Sequence, residues 1–281
     1  MTAAIAAAML VTGCGEANES APPATTPGDP GVIHVHGLGR NPADGALFIA
    51  THTGLFRLGS SDRTAKRVAG LYQDTMGFTV VGRDHFLGSG HPGSIEDDPP
   101  FLGLIESRDA GRKWRPISLR GKVDFHVLEA QGDTVYGFGS DWDRREARFL
   151  RSDDRGRTWT RLAAPDELFD LAIDPEDPLK SVATGEGRAW ISADGGSTWR
   201  PLSTSGGLVT WSRELGLIAV DPGGVVRRAG DPSGDWEEIG RLPGSPAALE
   251  GVGDELLAAT HESQILSSRD GGKTWRELVS R

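Results

Sequence analysis

Short segments of alternating or continuous apolar residues recur along this chain, separated by turns rich in glycine, proline and aspartate. Four such segments lie in sequence at Val123 to Glu129, Thr134 to Gly139, Ala147 to Ser152 and Thr158 to Leu162. A hydrophobic period of two is typical of a β-strand with one buried face. The pattern therefore predicts a unit of four consecutive strands.

An eight-residue motif closes this unit and repeats along the chain. The pattern S-x-D-x-G-x-T-W is matched at Ser107 to Trp114 (with Lys113 in the threonine position), Ser152 to Trp159, Ser192 to Trp199 and Ser268 to Trp275, and a degenerate copy runs from Asp231 to Trp236. Each aspartate can accept backbone N–H bonds within its own turn, each glycine can take a positive φ, and each tryptophan can pack between neighbouring sheets. The motifs therefore indicate a fold and not a catalytic site.

The spacing of the motifs sets the architecture. The tryptophans at 114, 159, 199, 236 and 275 lie about 40 residues apart, which is typical of one four-stranded propeller blade. Blade one is predicted to begin at Val32, with strands Ile33 to Gly39, Leu47 to Thr51 and Leu55 to Leu58 and an end near Arg67 and Val68; blades two, four, five and six are predicted to begin at Asp74, Leu168, Leu208 and Ala247. We therefore predict an all-β fold, a six-bladed β-propeller of four-stranded antiparallel blades over residues 32–281, with each blade's strands in sequence order.

Charge narrows the range of partners. The chain has 30 basic and 40 acidic residues and a formal net charge of −10. This balance repels phosphate backbones and anionic lipid surfaces, so nucleic acid is excluded as an expected partner. We expect a monomer.

The first residues are typical of an export signal. Ala3 to Val11 is apolar, is too short to span a bilayer, and leads into Val11-Thr12-Gly13-Cys14. This segment resembles the lipobox of bacterial lipoproteins, and the resemblance implies that Cys14, the only cysteine, is acylated. Residues 1–14 are then the signal peptide and lipobox, residues 15–31 a flexible tether, and the protein is extracytoplasmic and bound to the membrane by its lipid anchor only. The alternative is a disordered terminus with an incidental cysteine.

The whole mature chain resembles the sialidase-like superfamily of Asp-box (BNR repeat) propellers. His34 to Gly39, Thr51 to Phe56, Gln73 to Phe78 and Ser89 to Gly93 resemble, more narrowly, a bacterial lipoprotein family catalogued as glycosyl hydrolases. Sialidases require a late tyrosine–glutamate pair, whereas Tyr72 and Tyr136 both lie in the first half of this chain. Sialidase activity is therefore not expected, and whether the protein is an enzyme stays open, because a fold does not imply a function.

Overlaying the six blades reveals ionisable residues at matching positions. The aligned residues at the end of the second strand are His52, His91, Asp141, Glu186, Asp221 and His261. A second aligned set, on the first strand, comprises His34, Asp74, Asp124 and Glu167. The third set, two residues further along the same strands, comprises His36, Met76, His126 and Phe169. Residues two apart on a strand point to the same side. Six of the seven histidines are therefore predicted at one mouth of the channel, and His85 at the other end.

Imidazole, carboxylate and thioether groups together suit a transition metal such as copper or zinc. The candidate metal ligands are His36, His52, His91, His126, His261 and Met76, and His34, Asp141, Trp142 and Asp221 are candidates for binding a small polar ligand or a glycan. The alternative for Asp141, Glu186 and Asp221 is that they only form turns.

Three functions follow from these residues. The first is a module that binds a metal ion or a small polar ligand at the channel mouth. The second is a glycosyl hydrolase of the sialidase-like type that uses two of the carboxylates Asp74, Asp124 and Glu186. The third is a scaffold or assembly factor that binds another exported protein.

Overall fold

Six four-stranded antiparallel sheets follow one another in the computed structural model, which describes residues 29–93, 99–141 and 146–279. Blades one to three comprise β1 (Val35–Arg40), β2 (Leu47–Thr51), β3 (Gly54–Leu58), β4 (Lys66–Arg67), β5 (Asp74–Gly82), β6 (His85–His91), β7 (Leu104–Ser107), β8 (Arg115–Ser118), β9 (Val123–Gln131), β10 (Thr134–Asp141), β11 (Ala147–Ser152) and β12 (Thr160–Leu162). Blades four to six comprise β13 (Asp170–Asp174), β14 (Asp177–Gly185), β15 (Arg188–Ser192), β16 (Arg200–Pro201), β17 (Leu208–Ser212), β18 (Gly216–Val220), β19 (Val225–Ala229), β20 (Glu237–Arg241), β21 (Pro246–Val252), β22 (Glu255–Thr260), β23 (Ile265–Ser268) and β24 (Arg276–Glu277). The predicted six-bladed β-propeller is confirmed.

The sheets close into a ring around their first strands. Each first strand contacts the first strand of the next blade, and β21 contacts β1. Strands within each sheet pair in sequence order, so no blade borrows a strand from the other terminus. This ring belongs to the compact unit Gly31–Arg281; of the other unit, Met1–Pro30, only Asp29 and Pro30 are described.

Apolar side chains fill the seams between adjacent blades. The described residues form six buried clusters, one for each seam. The motif tryptophans close these clusters: the Trp159 ring lies 5.2 Å from the Phe125 ring, and the Trp199 ring lies 5.9 Å from the Phe149 ring. The second pair joins blades three and four, as the sequence pattern predicts, whereas Trp159 and Phe125 both belong to blade three and pack in its seam with blade two. Burial of large aromatic surface at each seam is therefore what holds one blade against the next.

The S-x-D-x-G turns have one geometry in all four copies. In blade four, the Ser192 hydroxyl donates to Asp194 Oδ1 at 2.9 Å and accepts the backbone N–H of Gly196 at 2.8 Å. Asp194 Oδ1 also accepts the N–H of Thr198 at 2.9 Å, and Gly196 has a φ of +82°. The motif thus satisfies backbone donors in a tight turn, as expected from its residues.

We expect Ser192→Ala to destabilise the propeller by about 1–3 kcal/mol, because it leaves the buried N–H of Gly196 without its acceptor. In a domain of this size that is a fall in melting temperature of roughly 3–10 °C, measurable by calorimetry. Ser197→Ala is the matched control, since the exposed Ser197 hydroxyl donates only to the carbonyl of Asp194. Equal melting temperatures for the two variants would contradict the role given to the turn.

The first strand of blade one begins later than predicted. It starts at Val35 because His34 has a φ of +49°, which a strand does not continue. Blade four likewise begins at Asp170, two residues after the predicted Leu168. In residues 29–93, 99–141 and 146–279, no helix is long and apolar enough to cross a membrane.

Candidate metal and ligand site at the channel mouth

The second strands of the blades end where the sequence overlay places the first set of ionisable residues. His91 and Asp141 are the last residues of β6 and β10, and His52, Glu186, Asp221 and His261 directly follow β2, β14, β18 and β22. The pairing of the first and second strands is shifted by one residue in blade three. In blade two, Asp74 pairs with His91, the last residue of the second strand, whereas in blade three Asp124 pairs with Ser140, the residue before the last. Asp141 is one residue further on, so its buried side chain points to the other face of the strand and forms an ion pair with Arg148.

The second set of candidates lies on β-bulges. Register shifts in the first strands fall at His36 in β1, at Met76 in β5, at His126 in β9 and at Ala247 in β21. A bulge leaves one residue unpaired and re-aims its side chain. In blades one and three this unpaired residue is a histidine.

Two histidines of blade one meet the first aspartate of blade two. His52 Nδ1 lies 2.8 Å from Asp74 Oδ2, and His36 Nε2 lies 3.7 Å from Asp74 Oδ1. The three residues offer ligand atoms that all lie within 4.8 Å of one another. In the part of the chain that the structure describes, no other set of three histidine, cysteine or acidic residues meets this spacing.

Two polar atoms of this trio are buried without a hydrogen-bond partner. They are His36 Nε2 and Asp74 Oδ1, the atoms that face each other. The pKa of His36 falls to about 4 because burial penalises the imidazolium and because the imidazoles of His52, His126 and His34 lie nearby. The neutral ring has a lone pair to donate, which is the form that binds a metal.

A second cluster forms one blade further on. Asp124 is almost fully buried, and its Oδ2 lies 3.0 Å from His126 Nε2 and 3.2 Å from His91 Nε2. Burial opposes ionisation of Asp124, but the hydrogen bonds from His126 and His91 outweigh it and hold the pKa at about 2. His91 Nδ1 lies 3.0 Å from the carbonyl oxygen of Pro100. Since both partners of His91 are acceptors, both ring nitrogens donate, and the hydrogen bond to Asp124 raises the pKa of His91.

The two clusters open on one small cavity. His36 and His126 line a space of about 70 Å³ together with Phe169. The ring of Phe169 is half exposed at its rim. One histidine of each cluster and an aromatic ring of blade four therefore line the same cavity.

Other predicted site residues lie apart from these clusters or only border them. Asp221 caps its own turn by accepting the N–H groups of Gly223 and Val225, and it pairs with Arg227 at 2.8 Å, which fits the turn alternative. His34 borders the trio, with its ring 6.1 Å from the His52 ring, whereas Glu186 is exposed on blade four. Within residues 29–93, 99–141 and 146–279, no ion pair or ring contact includes Met76 or His261. Trp142 and Cys14 lie outside the described residues.

His85 lies away from this mouth, at the start of β6, as predicted. Its Nε2 is 3.1 Å from Glu106 Oε2. Burial and the nearby Arg108 lower its pKa, in spite of the hydrogen bond to Glu106.

Three acidic residues that the sequence overlay missed line the channel itself. Glu129 and Glu250 line the cavity of about 70 Å³ that His36 and His126 share, and they also line a second cavity of about 170 Å³. Asp170 joins them in the first cavity, where its oxygens accept the N–H groups of Leu171 and Val209 at 2.9 Å. Each of these three residues is partly accessible through the channel, although protein surrounds its carboxyl group. Because burial penalises the charged carboxylate, it raises the pKa of Asp170 to about 7 and that of Glu250 to about 8.

No family model and no curated protein matches this sequence. Solved structures do match the fold. The GH74 enzyme from Niastella koreensis has a TM-score of 0.60 and 14% identity over 89% of this chain and 46% of its own. A gluconolactonase from Xanthomonas campestris has a TM-score of 0.61 and 16% identity over 81% and 83% of the two chains, and YCF48 from Cyanidioschyzon merolae has 0.53 and 15% over 90% and 87%.

These similarities show the propeller fold. The chain spans about half the length of the GH74 enzymes that it matches. At such low identity, the activity of a neighbour does not transfer to this chain.

Proposed function

We propose that this protein binds a transition metal ion through His36, His52 and Asp74 at one mouth of its propeller. The observation that carries the proposal is the pair of buried atoms without hydrogen-bond partners, His36 Nε2 and Asp74 Oδ1, which face each other at 3.7 Å. Leaving buried polar atoms unpaired costs about 1–3 kcal/mol each, and a bound cation removes that cost.

The donor set supports zinc or copper. Two imidazole nitrogens and one carboxylate oxygen leave a coordination position for water or a small polar ligand. The side chain of His52 is exposed at the channel mouth and that of His36 is partly exposed, whereas the Nε2 atom of His36 and the Oδ1 atom of Asp74 lie buried beneath them. Binding of a small polar molecule at the same mouth then follows from the ion.

The location of the protein is part of the same proposal. The lipobox-like Val11-Thr12-Gly13-Cys14 supports export and anchoring of the propeller to the outer face of a bacterial membrane through Cys14. The residues that resemble the lipoprotein family, among them His34 to Gly39 and Gln73 to Phe78, support membership of the sialidase-like superfamily. The scaffold alternative stays a prediction.

Metal binding is tested on untagged protein that has been stripped with chelator and titrated with Zn²⁺ and Cu²⁺ by calorimetry. We expect one ion per chain, and His36→Gln or His52→Gln should weaken its binding by more than about 100-fold, since each removes a ligand atom. His85→Gln is the matched control, because that imidazole lies at the start of β6 and pairs with Glu106. A stoichiometry of zero for both metals, or unchanged affinity in His36→Gln, would contradict the proposal.

A second candidate function is glycoside hydrolysis. The observation that favours it is that the pKa values of Asp74 and Asp124 move in opposite directions: burial raises that of Asp74, whereas hydrogen bonds from two histidines lower that of Asp124. Such a split is how a pair of carboxyl groups divides into acid and base. Turnover of a panel of plant and bacterial glycans that disappears in Asp124→Asn and survives chelation would favour this candidate over the metal site.

A further inference from the structure

The Asp124 cluster has a use that metal binding alone does not explain. The geometry points to His126, oriented by Asp124, as the general base of a metal-assisted hydrolysis of neutral carboxylic esters or lactones at this mouth. This inference rests on the proposed metal site, because it takes the attacking water from the ion held by His36, His52 and Asp74.

The orientation of His126 supplies the base. Its Nε2 lies 3.0 Å from Asp124 Oδ2, so Nε2 carries the proton, and the lone pair of a neutral ring is on Nδ1. Half of the His126 side chain is exposed, whereas that of Asp124 is only 3% exposed. A buried carboxylate that fixes one tautomer of a more accessible histidine is the arrangement that general-base catalysis requires.

Asp124 is itself held in place on both sides. His91 donates to the same Oδ2 at 3.2 Å and to the carbonyl oxygen of Pro100 at 3.0 Å, which fixes the carboxylate relative to β6. Asp124 Oδ1 is buried and has no hydrogen-bond partner. The structure thus fixes Asp124 as a positioning residue and leaves His126 as the group that can accept a proton from the cavity.

The distribution of charge favours a neutral substrate. Asp74 and Asp124 lie beside the cavity, and Glu129, Asp170 and Glu250 line it, so acidic groups surround this site and disfavour an anionic phosphate ester. The cavity that His36 and His126 share is also lined by the half-exposed ring of Phe169, which offers an apolar contact. An uncharged carbonyl compound fits this combination better than a phosphoester.

The reaction balances without another reagent. Water that is polarised at the ion gives a proton to His126 Nδ1, and its oxygen forms a bond to the carbonyl carbon while the π electron pair moves to the carbonyl oxygen. When that pair returns, the bond from carbon to the alcohol oxygen breaks, and the departing oxygen takes the proton from His126. The products are a carboxylic acid and an alcohol, or a hydroxy acid from a lactone, and the base is restored.

The inference is tested on the full chain, loaded with Zn²⁺ and assayed with p-nitrophenyl acetate and δ-valerolactone. We expect turnover, and we expect His126→Gln and the smaller His126→Ala to lower kcat by about 10²–10⁴-fold while the bound zinc per chain stays the same. Added imidazole should restore part of the rate in His126→Ala only. His85→Gln should retain the rate of the unaltered protein.

A second measurement needs no metal. Nitrogen NMR of the metal-free protein at alkaline pH should show His126 protonated on Nε2, and Asp124→Asn should shift the population towards Nδ1. Zinc binding without ester or lactone turnover, or equal turnover in His126→Gln, overturns this inference and leaves the proposed function standing. Failure to bind zinc or copper overturns the proposed function and this inference with it.

Discussion

Gly90→Ala is expected to lower the melting temperature by about 10 °C or more. Gly90 has a φ of +133°, and an added Cβ would overlap the carbonyl oxygen of Asp74 and approach the backbone nitrogen of Met76 to 2.9 Å. Backbone strain and steric overlap of this kind cost about 3–5 kcal/mol together. In a domain of this size each kcal/mol lowers the melting temperature by roughly 2–4 °C.

The same substitution should also weaken the metal site. Gly90 lies opposite Thr75 in the pairing of β5 with β6, next to the pair formed by Asp74 and His91. Moving the Asp74 backbone away from the new methyl group shifts a carboxylate that must stay within reach of His36 and His52. We therefore expect reduced zinc affinity as well as reduced stability.

Gly253→Ala is the matched control for this prediction. Gly253 also has a positive φ, +59°, but an added Cβ would meet nothing within 4 Å. Gly253→Ala should therefore lower the free energy of unfolding by only about 1 kcal/mol, which is the cost of placing alanine at a positive φ. If calorimetry gave the two variants the same melting temperature, the close approach of Gly90 to Asp74 would not be a constraint on the fold.

The blade architecture could be predicted from the sequence because its signals are local. Ser192, Asp194 and Gly196 satisfy one another within a single turn, and the spacing of the motif tryptophans measures the length of a blade directly. The strand register then aligns His34, Asp74 and Asp124, as the sequence overlay predicts, since each lies two residues before the bulge of its blade's first strand. Local satisfaction of backbone groups makes such patterns readable without knowledge of the tertiary structure.

The pairing of the site residues could not be predicted, because it depends on geometry between blades. His52 belongs to blade one and contacts Asp74 of blade two, and His91 of blade two contacts Asp124 of blade three in the same way. The bulge at His126 also interrupts the alternation of side chains along β9. An overlay of the blades that assumes strict alternation therefore misses Glu129, which lies further along that strand. What sequence analysis predicted as one ring of histidines is, in the described residues, a trio on Asp74 and a separate hydrogen-bonded set on Asp124.

The three channel carboxyl groups lead to a prediction about pH. Burial raises the pKa of Asp170 to about 7 and that of Glu250 to about 8, and for Glu129 burial and the nearness of Glu250 and Asp170 act in the same direction. In the unfolded chain these groups lose their protons near pH 4 to 5. Between that pH and about 8, the folded protein therefore holds protons that the unfolded chain has released, so stability is highest at low pH within this window and falls as pH rises.

Glu250→Gln should remove much of this loss. The amide has no charge to bury, and its presence also relieves the repulsion that Glu250 exerts on Glu129. With chelator present, we expect the melting temperature of the unaltered protein to fall by about 10 °C or more between pH 5 and pH 8.5, and that of Glu250→Gln to be higher by roughly 5–10 °C at pH 8.5 but little changed at pH 5. Glu214→Gln removes the same charge from an exposed position and should leave the pH dependence unaltered. If the melting temperatures of all three proteins depended on pH in the same way, the channel carboxyl groups would ionise as freely as those on the surface. The reason is that only a group with different pKa values in the folded and unfolded states changes the slope of stability with pH.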